Sequence, residues 1–289
     1  MSRFRFVSEH RHAYGVKRLC RVLEVSRSGF YAWQERPPST RAIRDAELAG
    51  LIGEVHRRSR RTYGAPRVHA ELRRLDQRCS RKRVARLMRD AGLVGAHARR
   101  RWRRGRPDTA PAPDLVNRRF DPPGRDRVWA ADVTQFRTGE GWLYLAGVID
   151  LYSRRVVGWA MSNRPDTDLV TDALIMAFQR RRPDRRVVHH SDRGAIYTSL
   201  AFSHRLAERG LAQSFGSTGD AYDNAAVEAF WATLKRELAW IHQRTTWNTR
   251  AELRTAVFDY IEAFYNPERI QQRLGHHSPA TYENITAVA

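Results

Sequence analysis

At 289 residues the chain has room for about two domains, and 42% apolar with 10% aromatic residues supply a real core, which excludes a merely basic disordered tail. Lys and Arg outnumber Asp and Glu by 52 to 31, a formal charge of +21, which excludes an ordinary neutral metabolic enzyme as the default and points to a polyanion. The sequence has no run of apolar residues long enough for a membrane span and no signal-peptide core. Its two cysteines, Cys20 and Cys79, cannot build a disulfide framework, so the chain reads as cytoplasmic with both thiols as small buried hydrophobes.

The charge is segregated. Residues 1–110 hold 29 basic and 10 acidic side chains, net +19, and the remaining 179 residues hold 23 and 21, net +2. Such a division predicts a nucleic-acid-holding front and a nearly neutral rear with a different task.

In chain order, Val16, Leu19, Cys20 and Leu23 recur at helical spacing. Ser26 then caps a second helix carrying Phe30 and Trp33, which Pro37 and Pro38 end. This first helix-turn-helix unit, residues 1–40, would present Arg27, Ser28 and Tyr31 to a DNA groove. A second unit, 41–97, begins with an apolar stripe of Leu48, Leu51, Ile52 and Val55. Pro66 fits the first position of the next helix, and Ser80 caps a helix whose Arg81, Lys82, Arg83 and Arg86 suit phosphate contact. Residues 98–127 read as a basic Pro/Arg linker, with Arg99, Arg100, Arg101, Arg103 and Arg104 as further DNA contacts.

From residue 128 to 289 the pattern changes to α/β. Val128 to Phe136 alternates as a strand with Asp132 in its interior, an expensive place for an acid without a partner or a metal. Trp142 to Ile149 and Arg154 to Met161 continue as an antiparallel meander, followed by Thr167 to Gln179 (helix), Val187 to His190 (strand), Ser199 to Arg209 (helix) and Leu211 to Phe215 (strand). The expected result is a mixed five-stranded sheet with flanking helices. Asp192 follows the fourth strand, and Glu228 lies on a later helix capped near Asp223 or Asn224. Lys235 is seven residues on, on Glu228's face about 10.5 Å away. Asp132, Asp192 and Glu228 therefore form a candidate carboxylate cluster of the kind that holds Mg²⁺ or Mn²⁺ for phosphodiester chemistry. His189 and His190 read as structural, and Asp150 as the anchor of the turn that follows it.

At these residues the sequence resembles the OrfB-type DDE transposases of bacterial insertion sequences, the insertion-sequence three family, across essentially the whole chain. WAADVTQF, HHSDRGAIYTS and YDNAAVEAFWATLKRE carry Asp132, Asp192 and Glu228, with the 35 residues between the last two acids that mark the group. VSRSGFYAW, TYGAPRVHAELRR, VIDLYSRRVVGW and YNPERIQQRLGHHSPATYE also match. The resemblance implies a retroviral-integrase-like catalytic core with an RNase H-like fold, preceded by an all-α helix-turn-helix DNA-binding region. It implies metal-dependent strand cleavage and strand transfer at element ends, with two Mg²⁺ (or Mn²⁺) ions per site when DNA is bound and Lys235 near the scissile phosphate. Its partners would be double-stranded DNA, both terminal inverted repeats and target, a second copy of the chain on DNA, and an OrfA protein or OrfA–OrfB fusion. OrfA's own helix-turn-helix and leucine zipper are absent from the sequence. No membrane partner is expected, and the bacterial protein would join the nucleoid when DNA-bound. A catalytically silent DNA-binding regulator is the alternative, and a ribonuclease on RNA–DNA hybrids leaves the helix-turn-helix units unexplained.

Overall fold

The computed structural model describes residues 2–97, 122–184, 186–192, 194–215 and 225–287. They fall into two compact units divided between Leu51 and Ile52.

In the first unit, α1 (Arg3–Tyr14), α2 (Val16–Val22) and α3 (Arg27–Glu35) precede α4 (Thr40–Arg58), which runs through the division. Ser26 caps α3 as expected, its Oγ accepting from Gly29 N–H at 3.1 Å. Helix α1 carries too few apolar residues to announce itself. It forms because Ser2 caps it and because Val7 closes on Leu19, Cys20 and Phe30, all under 9% exposed.

The second unit begins with α5 (Ala65–Arg74) and α6 (Arg81–Asp90). Pro66 lies at the second helical position rather than the first, behind Gly64 as the cap. The sequence places a boundary at 40/41 and sets the catalytic part off from residue 128, but the structure groups 52–97 with the α/β body. Tyr63 explains why. Its hydroxyl accepts from Ile270 N–H at 2.8 Å and donates to the Glu268 carbonyl at 3.3 Å. Arg60 pairs with Asp259, the indole of Trp240 donates to the Arg61 carbonyl at 2.8 Å, and Arg58 pairs with Glu268.

Five strands follow: β1 (Val128–Thr138), β2 (Gly141–Asp150), β3 (Val156–Ser162), β4 (Val188–Ser191) and β5 (Ala212–Phe215). Their order is β3-β2-β1-β4-β5, with β1, β2 and β3 antiparallel and β4 and β5 parallel to β1. This is the expected mixed sheet. β3 starts two residues later than the alternation suggests because Asp150 draws the preceding turn tight, accepting from the backbone N–H groups of Asp126, Tyr152 and Ser153. Helices α7 (Thr167–Arg181) and α8 (Leu200–Glu208) cover one face with Leu169, Val170, Leu174, Phe202 and Leu206 against Trp129, Ala131 and Val148.

The opposite face receives α9 (Ala225–His242). Beyond it run α10 (Arg250–Tyr260), a π-helical turn over Ile261–Tyr265, a 3₁₀ turn over Gln272–Leu274 and α11 (Pro279–Ala287). Glu283 ties α11 back to the body, accepting from Arg155, Arg181 and Ser153 at 2.7, 2.8 and 2.7 Å. Cys20 is buried, but Cys79 is only half-buried, in the polar α5–α6 turn where its carbonyl meets the His69 ring. Among the described residues no helix is long and apolar enough to cross a membrane.

Candidate active site

The parallel pairing of β1 and β4 brings the first two acids near each other. Val128 pairs with Val188, Trp129 with His189 and Ala130 with His190, a constant offset of 60 residues. β4 ends at Ser191, so Asp192 is the first residue past its carboxyl end, where ligand sites of such sheets gather, while Asp132 lies inside the neighbouring β1, close enough to feel the charge of Asp192. Asp192 is exposed and braces its own loop, its Oδ1 accepting from Gly194 N–H at 3.0 Å.

Asp132 faces α9. Its Oδ1 accepts from Val133 N–H at 2.8 Å, and its Oδ2 accepts from the indole N–H of Trp231 at 3.0 Å. The indole reaches this far because Asp132 pairs across the sheet with Gly147. A Cβ on Gly147 would lie 2.6 Å from the edge of the Trp231 ring. Trp231 thus orients the first acid as well as packing α9 on the sheet. The signal for that was available, since Trp231 stands three residues after Glu228 and so shares its face.

Burial pushes the Asp132 carboxyl up to about 6, and the charges of Asp192 and Glu228 add to that rise, while the hydrogen bonds from Val133 and Trp231 oppose it. The hydroxyl of Tyr197 is held well above its ordinary value by burial and by the charges of Asp132 and Asp192. Asp132 feels both other acids, and Tyr197 feels Asp132 and Asp192, so the three belong to one electrostatic neighbourhood. They are not closed into a shell: among the described residues no three His, Cys, Asp or Glu side chains are grouped tightly enough to hold a metal ion. Glu228 is exposed in the first turn of α9, and three like charges repel. The Asp223 or Asn224 cap lies outside the described residues.

The donor set suits a hard divalent cation. It offers carboxylate oxygens without thiol or imidazole, and each Asp132 oxygen takes one N–H and keeps a lone pair. His189 does not compete. It is 1% exposed against Phe202 and Tyr197, and burial together with His190 pushes its pKa down to about 4, so it is a neutral core residue. Asp150 is fully buried and committed to its turn.

Lys235 lies over the site. Its Nζ stands 5.1 Å from the centre of the Phe136 ring, and Phe136 shares a strand face with Asp132. Burial lowers the ammonium's pKa and the charge of Asp132 opposes that shift. Of the other expected DNA contacts, Arg27, Ser28 and Tyr31 are exposed on α3, and Arg81 and Lys82 on α6. Arg83 and Arg86 are only half-exposed, and Arg86 pairs with Asp90 at 3.2 Å. Arg99, Arg100, Arg101, Arg103 and Arg104 lie outside the described residues.

Comparison with known proteins gives three family matches: an integrase core domain over residues 122–221, an HTH-like domain over 43–101 and a second integrase core domain over 228–286. The chain is 39% identical over 286 residues to transposase InsF for insertion sequence IS3A of Escherichia coli (strain K12), covering 96% of this chain and 97% of that protein. It is 40% identical over 266 residues to the insertion element IS600 uncharacterized 31 kDa protein of Shigella sonnei, covering 91% and 97%. A chain of the simian T-cell lymphotropic virus intasome in complex with PP2A regulatory subunit B56 gamma is similar with a TM-score of 0.47 at 15% identity, covering 82% of this chain and 74% of that one.

Proposed function

The chain belongs to the insertion-sequence transposases of the IS3 family, DDE-type polynucleotidyl transferases, and we propose that Asp132, Asp192 and Glu228 are the acids that carry its strand cleavage and strand transfer. The observation that supports this most is the placement of Asp132 within β1, next to β4 at whose end Asp192 follows, facing the helix that bears Glu228 and feeling the charge of both other acids.

Mg²⁺ or Mn²⁺ ions bound by these carboxylates, two with DNA present, would lower the pKa of the attacking hydroxyl and stabilise the leaving oxygen. The chain's own residues prepare that chemistry. Trp231 and the Val133 amide fix the orientation of the Asp132 carboxylate, so that its free lone pairs point into the site. Partial burial strengthens every charge interaction there. In cleavage a water oxygen attacks phosphorus as the P–O3′ bond breaks, leaving a 3′-hydroxyl on the element end. In joining, that hydroxyl attacks a target phosphodiester, so one bond forms for each that breaks and no external energy source is needed. Lys235, held over Phe136 beside Asp132, would meet the phosphate near the scissile bond. Exposed Arg27, Ser28 and Tyr31 on α3 and Arg81 and Lys82 on α6 would hold the flanking duplex, with a second copy of the chain and an OrfA partner completing the assembly on the terminal repeats.

Asp132→Asn, Asp192→Asn and Glu228→Gln should each lower cleavage and joining on a plasmid carrying the element by more than about a thousandfold, with DNA affinity and fold kept. Full activity in any one of them overturns the assignment. Should all three keep wild-type binding in a wild type that is itself inert with Mg²⁺ and Mn²⁺, the chain acts as a silent regulator.

A further inference from the structure

Helix α9 has a second wet flank. Ala225, Ala229 and Thr233, an i, i+4, i+8 row, face a cleft of about 520 Å³, while Trp231 and Lys235 face β1. The helix therefore stands between the cleft and the acids. Arg67 from α5, Arg154 from the β2–β3 turn, and Arg269 and Arg273 line the cleft, with no acidic residue among its described lining.

These cations are not all spent on partners. Arg269 forms a bidentate pair with buried Glu237 at 2.7 and 2.8 Å, and Arg67 stands 3.8 Å from the same carboxylate. One carboxylate thus serves two guanidiniums. Arg154 has none: its Nε is buried without a hydrogen-bond partner among the described residues. Burial holds the pKa of Arg154 and of Arg67 below the ordinary arginine value, whereas Glu237 and the tyrosines around Arg269 outweigh burial and raise that of Arg269.

The backbone of Arg154 is also in an uncommon place. It has φ 60°, where glycine or asparagine would sit more cheaply. It is pinned there by its N–H donating to the Asp150 carbonyl at 2.8 Å and by its carbonyl accepting from the Tyr265 hydroxyl at 3.1 Å. A long cation is thus kept at a left-handed position among other cations, with no hydrogen bond to its Nε among the described residues and only the buried, turn-committed Asp150 as an acid felt nearby.

We propose that this cleft is a second phosphodiester subsite, in which Arg154, Arg67 and Arg273 grip the DNA backbone on the flank of α9 away from the carboxylates. The proposal rests on the transposase reading above. Alanines on the α9 face let a sugar-phosphate chain come close to the helix, and planar guanidiniums match phosphate oxygens in pairs. The phosphate could come from the element end or from the target, since both present the same group.

The test measures binding of the full chain in chelator, so that no cleavage contributes, to a duplex carrying the element's terminal repeat and to one of arbitrary sequence. Arg154→Gln and Arg273→Gln should each reduce the salt slope of log K by about one, and Arg154→Lys should restore it. Arg273 is exposed, so its variant keeps the test decisive even where Arg154→Gln unfolds. Loss confined to the repeat duplex assigns the phosphate to the element end. Normal end binding with reduced joining of a pre-bound end assigns it to the target. Unchanged slopes on both duplexes together with unchanged joining overturn the proposal, and they leave the Asp132, Asp192 and Glu228 assignment untouched, because that one is read by cleavage.

Discussion

The helices of residues 2–51 close on apolar contacts of their own, Val7, Leu19, Cys20 and Phe30, whereas those of residues 52–97 are held to the catalytic body by directed polar contacts from Tyr63, Arg60, Arg61 and Arg67. Apolar contacts ask only for proximity. Polar ones need a partner at a given angle, and here those partners lie far along the chain, in α9, α10 and the segment after the π-helical turn. The difference assigns the two helix-turn-helix units different mechanical roles. Tyr63 ties the second unit's helices to the segment that also holds Arg269 against Glu237 of α9, the helix of Glu228, while the first unit has an apolar core of its own in Val7, Leu19, Cys20 and Phe30.

The largest test of this contrast uses one buried side chain from each unit. Phe30→Ala should cost about 3–5 kcal/mol and melt the first unit alone, read as a separate thermal transition with the second unit's unchanged. In the second unit, burial pushes Glu237 up, but the charge and hydrogen bonds of Arg269 outweigh it and hold the acid below its usual range. Glu237→Gln leaves Arg269 buried without a counter-charge and should cost about 3–5 kcal/mol, loosening 52–97 together with the sheet. If the helices of 52–97 kept native amide protection in that variant, the coupling between them would be refuted.

A smaller effect concerns the site itself. Asp132 titrates near 6 when folded and near 3.8 when unfolded, so between those values the folded state holds the extra proton and stability in chelator falls as pH rises. Asp132→Asn removes that penalty. The variant should gain up to about 3 kcal/mol over wild type above pH 6 and nothing below pH 4, measured by denaturant unfolding, with the gain cancelled once Mg²⁺ or Mn²⁺ is added. Gly147→Ala follows at about 1–3 kcal/mol, because the indole of Trp231 must retreat from its new methyl and from Asp132. Its signature is a weaker apparent affinity for Mn²⁺, which a packing defect elsewhere would not produce. Smallest is Lys235→Ala, expected to reduce the salt slope of DNA binding by about one and to lower joining with little change in melting temperature.

The strands and most helices were legible in the sequence, because alternation and caps such as Ser26 and Ser80 are local signals. The three proposed acids could be singled out in the sequence, but the parallel pairing of β1 with β4, which puts the strand of Asp132 next to the one that Asp192 follows, came only with the structure. The attachment of 52–97 was not legible. Tyr63 looks like a turn residue beside Gly64, and nothing near it in sequence names Ile270 as its partner. Arg154 was hidden in the same way, since a turn arginine shows neither its left-handed backbone nor what surrounds it.

The 60-residue offset between β1 and β4 acts as an alignment gauge. Loops and helices between the two strands can lengthen or shorten without moving Asp192 relative to Asp132, since pairing at the strands' own ends sets the match. A single residue inserted within β4 is different. It would turn Asp192 to the side of the sheet packed by the apolar side chains of α7 and α8, away from Asp132. Evolutionary freedom in this chain should therefore be generous in length outside the strands and close to nil within four residues of β4.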